Sequence, residues 1–526
     1  MNSETAITRL GLDQFFDGLR SMPRPVQATQ PVVAGGGIRI RALCDLIART
    51  LPSLAHSDGA MMPSKIDSEP LTSTWYTQSS GQYARLVMTS TQGGEIGQAG
   101  AATSTWQGQS LPAYTDIHLV SRSADHLYVS SNGLPSHIIG PWRGNSHSDS
   151  PHTSRRTFQI PRIPWLAETG VVTAAGDVGV WVNGIPIDNL IGYGHHDLEA
   201  GRDVDGGDSV EPFRKLWLRH KPDACVDPSN GWIGRAGDYR YHANPLALRC
   251  QLRDNTVYLP RADCYREDVS NLRHSPILGW TFEGLPIYGP YGYADPLVAS
   301  SGVRRMVSGF VLRDGENGTV DLRRTGRRSM PRWAAAMHGL GERLAPQQVG
   351  PDVTSGFELG RYVEDYEFLG DVGGVQGRDF DLDQCNGRYC VTPEFPDGTF
   401  AYFVTLAYDG SPAFPYVVGP RSYGVRDGGV CRTVPGEAEA VVEAGMRSPV
   451  RLDYRNIGTQ QMLTWTSIEG GHYRIDASHD GSTWITVDVN VRSEGLTTEY
   501  TEYTPAGERP YRQFLVTLTS TEPCDG

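Results

Sequence analysis

Two histidines stand where their side chains could do chemistry. His242 ends the stretch "GDYRYH" and is followed by "ANP", and His274 begins "HSP". The stretch 239–242 alternates like a β-strand, so Arg240 and His242 share one face. An imidazole beside a proline-marked strand end can bind a metal ion or move a proton. It can equally be a buried side chain whose ring nitrogens bond to backbone groups or tyrosine hydroxyls.

A lone glutamate lies among aromatic residues in "HSPILGWTFEGLPIYGPYGY". Burial among aromatic rings is expected to raise the pKa of Glu283, which suits a general acid. The glycines and prolines of this segment set turns. Its aromatic side chains form either a stacking wall for a planar ligand or part of the core. These side chains are Trp280, Tyr288, Tyr291 and Tyr293.

Acidic residues are densest in "YVEDYEF" and "RDFDLDQCNG". Asp379, Asp381 and Asp383 alternate and would point the same way from an extended segment. Their mutual repulsion would be relieved by a hard cation such as Ca²⁺, although the full EF-hand loop pattern is absent. Three interpretations stay open, namely a calcium site, a solvated acidic loop and paired catalytic carboxylates.

The composition predicts a mostly β protein that positions these residues on short strands. The chain has 526 residues with 61 Gly, 35 Pro and 24 Tyr, and only 20% of its residues are charged, which favours strands joined by tight turns. The net charge of -13 opposes nucleic-acid binding. No apolar run is long enough to predict a membrane span, and no signal peptide is recognised at the N-terminus.

Three regions are predicted along the chain. Residues 1–65 form an N-terminal extension of mixed pattern, residues 66–430 a large β domain of antiparallel sheets, and residues 440–526 a small β-sandwich with five or six short strands. The last region resembles the fibronectin-III-like C-terminal modules of exported bacterial proteins, and we assign it no catalysis.

The eight cysteines lack the close CxxC-type pairs of zinc sites. Six of them lie between residues 225 and 431, a spread that predicts two or three disulfides in an exported protein. Buried thiols and metal ligation are the alternatives.

The large domain contains a predicted internal pseudo-repeat. Asp223-Ala-Cys225 precedes the strand 239–242 at nearly the spacing at which Asp383-Gln-Cys385 precedes the strand 400–403. Two copies of one turn-plus-strand unit would pack about a pseudo-twofold axis, because each would cover the apolar face that the other exposes.

These segments resemble the YHYH-domain family, which is named for a Tyr-His-Tyr-His stretch. The resemblance runs from about Thr72 to Gly424 and implies an exported or surface protein, without implying a particular reaction. The segments that carry it, in order, are "YVSSNGLPSHIIGPW", "GVWVNGIPI", "DACVDPSNG", "GDYRYHANPLAL", "HSPILGWTFEGLPIYGPYGY", "YVEDYEF", "DLDQCNGRYCVTPEFPDGTFAYFVT" and "FPYVVGP".

The chain departs from the family at positions suited to metal ligands. The first copy has Arg240 where the family has the first of two alternating histidines, and a guanidinium does not ligate metals. The second copy has Ala401 and Phe403 at these positions, and a His-Pro of the family is here Asp227-Pro228.

The resemblance and these departures lead to a first hypothesis, an exported metal-binding protein whose site lies between the two related units. Two histidines and one carboxylate would leave open positions on a transition metal, and Ca²⁺ is the other divalent ion considered. In one form of this hypothesis the protein is a metal-dependent enzyme in which Tyr241 or Glu283 donates a proton. The predicted ligands are His242, His274 and a carboxylate from Asp227, Asp381, Asp383 or Glu394.

An alternative hypothesis assigns the chain no catalysis. A cell-surface or extracellular-matrix module would bind glycan or self-associate through exposed aromatic side chains, with its C-terminal sandwich as a spacer. The loss of both histidines from the second copy favours this alternative, because a binding module tolerates a degenerate active site.

Overall fold

The computed structural model describes most of the chain from residue 117 onward and short segments before it. The described residues are 37–39, 69–76, 82–85, 87–88, 103–104, 117–131, 133–135, 137, 139, 156–173, 175–189, 191–205, 211–216, 226–233, 238–241, 243–259, 264–443, 451–457, 459–466, 471–479, 483–493, 497–505, 508, 511 and 513–521.

Strands make up most of the regular structure, which confirms the prediction of a mostly β protein. The strands up to the first central hairpin are β1 (Gly37–Arg39), β2 (Gln82–Arg85), β3 (Val87–Met88), β4 (Thr103–Ser104), β5 (Ile117–Arg122), β6 (His126–Ser131), β7 (Arg156–Pro161), β8 (Trp165–Val172), β9 (Asp177–Trp181) and β10 (Pro186–Asp188).

The middle of the chain continues with short strands. They are β11 (Ile191–Asp197), β12 (Arg202–Asp205), β13 (Arg214–Leu216), β14 (Gly231–Ile233), β15 (Tyr239–Tyr241), β16 (Thr256–Leu259), β17 (Cys264–Glu267), β18 (Ile277–Thr281), β19 (Pro286–Tyr288), β20 (Tyr291–Asp295), β21 (Val298–Arg305), β22 (Phe310–Leu312) and β23 (Tyr366–Phe368).

The final strands become longer after residue 450. They are β24 (Gly387–Cys390), β25 (Thr399–Phe403), β26 (Arg421–Gly424), β27 (Gly429–Cys431), β28 (Glu439–Glu443), β29 (Arg451–Ile457), β30 (Gln460–Thr466), β31 (Gly471–Ser478), β32 (Ile485–Ser493), β33 (Thr497–Tyr503) and β34 (Gln513–Thr521).

The described helices are short. No helix in the described ranges is both long and apolar enough to cross a membrane. The α-helices are α1 (Pro70–Ser73), α2 (Leu246–Gln251), α3 (Leu322–Thr325) and α4 (Arg332–His338), and the 3₁₀ turns are Pro346–Gln348, Val363–Asp365 and Leu369–Val372.

A six-stranded sheet organises the centre of the molecule, in the order β10-β9-β18-β19-β25-β24. Its neighbours are antiparallel except β19 and β25, which are parallel. Trp280 and Tyr288 are buried in its core, so these aromatic side chains of the Gly/Pro-rich segment pack the interior instead of forming an exposed wall. A five-stranded sheet, β27-β7-β6-β5-β28, contributes further residues to the same core.

The two central hairpins, β9–β10 and β18–β19, are related by a pseudo-twofold axis. Val180 is the register partner of Trp280. On either side of this pair, the Val182 N–H donates to the carbonyl of residue 278 at 2.8 Å and the Phe282 N–H donates to the carbonyl of residue 178 at 2.9 Å. Both hairpins have the sequence Gly-(Ile/Leu)-Pro-Ile after the turn, so residues 183 and 283 occupy equivalent turn positions.

The C-terminal strands form two sheets, β2-β34-β31-β32 and β29-β30-β33. Leu463 from one sheet shares a small apolar core with Ile475 and Phe514 from the other, so the region is a β-sandwich. One of its strands, β2, comes from far upstream and pairs with β34, whereas β28 pairs with β5 of the large domain. The likeness of this sandwich to fibronectin III remains a prediction.

The expected disulfides are not found among the described cysteines. No disulfide joins any two of Cys250, Cys264, Cys385, Cys390 and Cys431. Cys385 and Cys390 are buried within the apolar core, where a thiol packs as a small apolar group. The cysteines at positions 44, 225 and 524 lie outside the described residues.

Candidate functional site

A tight turn precedes the first strand pair of interest. The Asp227 carboxylate oxygen Oδ1 accepts hydrogen bonds from the backbone N–H groups of Ser229 at 2.9 Å and Gly231 at 2.8 Å. Asn230 has a φ of 60°, a conformation that asparagine tolerates better than most residues. The Tyr239 hydroxyl donates to the other oxygen of Asp227 at 3.1 Å. This carboxylate therefore holds the turn and strand β15 together.

The same turn recurs before strand β24. The Asp383 oxygen Oδ1 accepts from the N–H groups of Cys385 at 2.8 Å and Gly387 at 3.4 Å. Asn386 has a φ of 65°. The Tyr423 hydroxyl donates to Asp383 Oδ2 at 2.8 Å. A turn, a following hairpin and a tyrosine bonded to the carboxylate are thus present twice. We call hairpins β9–β10 and β14–β15, with the turn at Asp227, the first half, and hairpins β18–β19 and β24–β25, with the turn at Asp383, the second half.

This geometry corrects the register of the predicted repeat. Asp227, rather than Asp223, is the equivalent of Asp383, because Asp227 holds the matching turn. Gly231 pairs with Tyr241 across its hairpin, as Gly387 pairs with Tyr402 across the other. The equivalence of Tyr241 and Tyr402 is the one that the sequence predicts. The prediction aligned Cys225 with Cys385 and so chose the wrong aspartate. In the structure Cys385 corresponds to Ser229.

Tyr241 is the centre of a buried polar group in the first half. Its hydroxyl accepts a hydrogen bond from the Asn183 amide at 2.8 Å and makes a short hydrogen bond with His137 Nε2. The tautomer of His137 decides which of the two groups donates in this bond. The other ring nitrogen, Nδ1, lies 3.4 Å from the Ser229 hydroxyl. Tyr241 and His137 are 3% and 0% exposed, so this tyrosine–histidine pair is enclosed by protein.

Glu283 occupies the matching place in the second half. The Tyr402 hydroxyl donates a short hydrogen bond to Glu283 Oε1, and the backbone N–H of Gly424 donates to Oε2 at 2.6 Å. Burial raises the pKa of Glu283 to about 7, and these donors oppose the shift. The raised pKa is in the direction that the sequence predicts. Tyr241 and Glu283 therefore belong to equivalent polar groups in opposite halves.

Arg240 neutralises an acidic cluster beside the first-half group. Its guanidinium bonds to Asp177 at 2.5 Å and Asp238 at 2.8 Å, and contacts Asp188 at 3.0 Å. Burial lowers the pKa of Arg240, but the three carboxylates more than offset that effect and the net shift is upward. Arg240 therefore links hairpin β14–β15 to hairpin β9–β10 through these ion pairs. Its equivalent in the second half, Ala401, is buried in the apolar core.

His274 lies in a separate aromatic environment. Its Nδ1 bonds to the carbonyl of Ser275 at 2.8 Å, and its ring contacts Tyr288 and Tyr293 at centroid distances of 5.1 and 4.7 Å. Burial lowers its pKa to about 4, and the nearby Arg388 guanidinium adds to this shift. His274 is therefore neutral at physiological pH. Its Nε2 has no hydrogen-bond partner among the described residues.

The predicted acidic ligands have separate partners. Asp381 accepts two hydrogen bonds from Arg304, each of 2.5 Å, and Asp379 pairs with Arg378. In the other acidic segment, "YVEDYEF", Asp365 pairs with Arg327. No three histidine, cysteine, aspartate or glutamate side chains come together as a metal site in the described part of the chain.

These contacts change the predicted ligand set. The described candidates His274, Asp227, Asp381 and Asp383 do not form a group of three side chains that could hold one ion. Residues 379–383, which are all described, likewise form no group of three ligands that could hold Ca²⁺. His242, the remaining predicted ligand, lies outside the described residues.

The sequence analysis missed His137. Its segment, "SNGLPSHIIGPW", was recognised as family-like, but a single histidine far from the strand 239–242 carries no periodicity that would connect the two. A signal was present in the local sequence, where His137 follows Asn-Gly and Pro turn residues. Contact between residues so far apart in the chain is decided by tertiary packing.

Comparison with known proteins agrees with the family resemblance. The family model described as "YHYH protein" matches residues 157–414. Residues 157–414 are therefore similar to the YHYH family. The matched YHYH region includes Tyr241, Glu283 and Tyr402, whereas His137 and Tyr423 lie outside it. Neither a curated protein nor a solved structure matches the chain.

The two polar groups differ in what they can do. The Glu283–Tyr402 group joins a carboxyl to a hydroxyl and to the backbone N–H of Gly424, which suits a structural role. The Tyr241–His137 group joins a phenol to an imidazole, the two groups that exchange protons or bind transition metals. Chemistry is therefore better supported in the first half.

Proposed function

We propose that the chain is an exported metal-binding protein of the YHYH family whose centre lies at Tyr241 in the first half. The proposed nitrogen ligands are His137 and His242, and the proposed carboxylate is Asp227, which bonds to Tyr239 on the same strand as Tyr241. The single observation that carries the proposal is the hydrogen bond between His137 Nε2 and the Tyr241 hydroxyl. It brings a distant histidine to the residue that directly precedes His242.

Burial and size favour an ion over an organic substrate at this centre. Tyr241, His137, Asn183 and Asp227 are each no more than 3% exposed. A single cation fits among a few polar side chains, whereas a substrate needs a cleft of several hundred Å³. Neutral imidazole and carboxylate suit Zn²⁺, Mn²⁺ or Fe²⁺. A bound cation would supply Lewis acidity, and Tyr241, polarised by Asn183 and His137, would then hold or move a proton beside it.

Metal analysis of the purified full chain tests this proposal. After loading with Zn²⁺, Mn²⁺ or Co²⁺ and desalting, the wild type should retain about one equivalent of metal, and both His137→Ala and His242→Ala should lose it. His479→Ala, in the C-terminal sandwich, is the matched control. A loaded wild type without metal, or full retention by His137→Ala, would contradict the proposal. Loss on His274→Ala would instead restore the ligand set predicted from the sequence.

A second candidate function is self-association through the C-terminal sandwich. Strand β32 is an edge of its sheet among the described strands, and Ile485 and Val489 are 49% and 66% exposed on it. A long edge strand with exposed branched apolar residues can pair with another chain. Val489→Lys should shift a dimer toward monomer in light scattering, whereas Val269→Lys, at a loop valine of 65% exposure, should not. A monomeric wild type would remove this candidate.

Export and glycan binding are separate proposals. The absence of disulfides among the described cysteines removes one of the arguments for export, so export now depends on the family resemblance. Fractionation of cells that express the natural gene tests it, with the chain expected outside the cytoplasm. A glycan array tests the carbohydrate-binding form of the surface-module hypothesis.

A further inference from the structure

Arg214, on β13, is a buried cation that pairs with no anion in the described part of the chain. It is 2% exposed. Its one hydrogen bond among the described residues runs from Nη2 to the Met337 sulfur at 3.7 Å, and a thioether is a weak acceptor. Its Nε has no partner in the same part of the chain, and no described carboxylate lies at salt-bridge distance. The charge of Arg214 is therefore not neutralised by direct contact.

The other fully buried arginines are paired. Arg249 contacts Asp254 and Glu267 at 2.6 Å, Arg327 contacts Asp365 at 2.6 Å, and Arg313 contacts a glutamate at 3.5 Å. A buried charge without such a partner destabilises a protein by several kcal/mol. A fourth buried arginine, Arg388, has no described carboxylate partner but donates to the Tyr293 carbonyl at 2.7 Å. Arg214 has neither a carboxylate nor a carbonyl acceptor among the described residues, and its charge calls for an anion.

Two residues next to Arg214 in the fold carry buried polar atoms without a partner among the described residues. His195 on β11 is the direct cross-strand partner of Arg214, which places their side chains on the same face, and the buried His195 Nδ1 has no partner among the described residues. Glu364 is close enough to raise the pKa of Arg214 against the lowering effect of burial. Its Oε1 bonds to His338 Nε2 at 2.9 Å, and its buried Oε2 has no described partner.

The backbone explains why these groups converge. Lys215 forms a β-bridge with Tyr362, so strand β13 lies between β11 and the turn 363–365. Arg214 therefore faces His195 on one side and the turn that carries Glu364 on the other. The end of helix α4 supplies Met337 and His338 above this strand.

We propose that Arg214, His195 and Glu364 bind a small oxyanion that still carries an acidic proton, with inorganic phosphate as the representative. Anionic oxygens would accept hydrogen bonds from the Arg214 guanidinium and from His195. The hydroxyl of the oxyanion would donate to Glu364 Oε2, an acceptor that repels a fully deprotonated anion. The site therefore selects for hydrogen phosphate against sulfate, because only the former has a proton to donate at neutral pH.

Calorimetry and thermal unfolding of the full chain test the proposal with phosphate and sulfate as probes. Phosphate well above its dissociation constant should raise the unfolding midpoint by roughly 2–4 °C, and sulfate at equal ionic strength should not. Arg214→Met should abolish the phosphate effect. Arg332→Met, at an exposed arginine of helix α4, is the control and should retain it. Metal content should be unchanged throughout, which separates this test from that of the metal centre.

A second variant keeps the proposal testable if Arg214→Met does not fold. Glu364→Gln replaces the acceptor by an amide that can still accept from His338 and can donate to the anion. The variant should bind sulfate at least tenfold more tightly than the wild type does and lose the preference for phosphate. Equal effects of the two anions on the wild type, an undiminished phosphate effect in Arg214→Met, or an unchanged preference in Glu364→Gln would each overturn the proposal.

Discussion

Asn183 and Glu283 occupy equivalent turns of the two central hairpins, and each bonds to the hydroxyl of an equivalent tyrosine. The direction of the bond differs. Asn183 donates to the Tyr241 hydroxyl, which also bonds to His137, whereas Glu283 accepts the proton of Tyr402. The equivalent turn position is thus Asn183 in one half and Glu283 in the other. The tyrosine beside Asn183 bonds to an imidazole, and the tyrosine beside Glu283 bonds to the carboxylate itself.

The raised pKa of Glu283 predicts a pH dependence of stability. Because the native pKa is about 7 against an ordinary value of 4.5, the native state keeps a proton that the unfolded chain releases between these pH values. The free energy of unfolding should therefore fall as pH rises through this window, by about 3 kcal/mol from this group. Burial also raises the pKa of Glu367 to about 7, so urea unfolding from pH 4 to 8 should show a fall in both proteins that is smaller by about 3 kcal/mol in Glu283→Gln than in the wild type. The exposed Glu316→Gln should keep the wild-type slope, and an unchanged slope in Glu283→Gln would contradict the prediction.

Removal of Arg240 should destabilise the first half strongly. Arg240→Met leaves Asp177, Asp188 and Asp238 close together. Among the described residues, Arg156 at 3.4–3.6 Å and Arg426 then offset their charges less directly. Breaking a buried ion pair in this way lowers the free energy of unfolding by roughly 3–5 kcal/mol. Denaturant unfolding measures the change. Arg378→Met, which removes an exposed pair with Asp379, should change stability by less than about 1 kcal/mol. Equal effects of the two variants would refute this account of Arg240.

Tyr241 and His137 should be energetically coupled. In a double-mutant cycle with Tyr241→Phe and His137→Asn, the interaction energy should be about 1–2 kcal/mol, because each single variant leaves a buried polar atom unsatisfied. The cycle is measured by equilibrium unfolding. Tyr241→Phe combined with His338→Asn should be additive within about 0.5 kcal/mol. Additivity in the first cycle would show that the contact contributes nothing to stability.

Gly184, at the turn of hairpin β9–β10, should not tolerate a side chain. Its φ is 82°, and a Cβ there would lie 2.2 Å from the Ser131 hydroxyl. Gly184→Ala should therefore lower the free energy of unfolding by more than about 2 kcal/mol. Gly176 has the same φ with open space around it, so Gly176→Ala should show only the backbone strain of about 1 kcal/mol. An equal loss in the two variants would show that the contact with Ser131 does not limit the side chain at position 184.

Thiol labelling should separate the cysteines by burial. Burial raises the pKa of Cys385 and of Cys390, and a buried protonated thiol reacts slowly. In the native protein, labelling followed by peptide mass spectrometry should modify the half-buried Cys264 and Cys431 well before Cys385 and Cys390. After unfolding without reductant, all four should react. A thiol among these four that reacts only after reduction would show a disulfide and revive the first prediction.

The sequence determined the class of fold and much of the local structure. The alternation of 239–242 and the glycine and proline content predict short strands joined by tight turns, because side-chain period and turn chemistry are local properties. The spacing of the residues also predicted that strand 239–242 corresponds to strand 400–403, and Tyr241 and Tyr402 are equivalent in the structure. Even the raised pKa of Glu283 followed from its apolar neighbours in the chain.

Tertiary structure alone decided which side chains meet. His137 reaches Tyr241 and Arg304 reaches Asp381 across many intervening residues, and no sequence period encodes such contacts. The Asp turn of the first half was assigned to the wrong aspartate for the same reason, because a cysteine is replaced by Ser229 while the hydrogen bonds are kept. A carboxylate has the same sequence signature whether it binds a metal or an arginine, and only the partner that folding brings to it distinguishes the two.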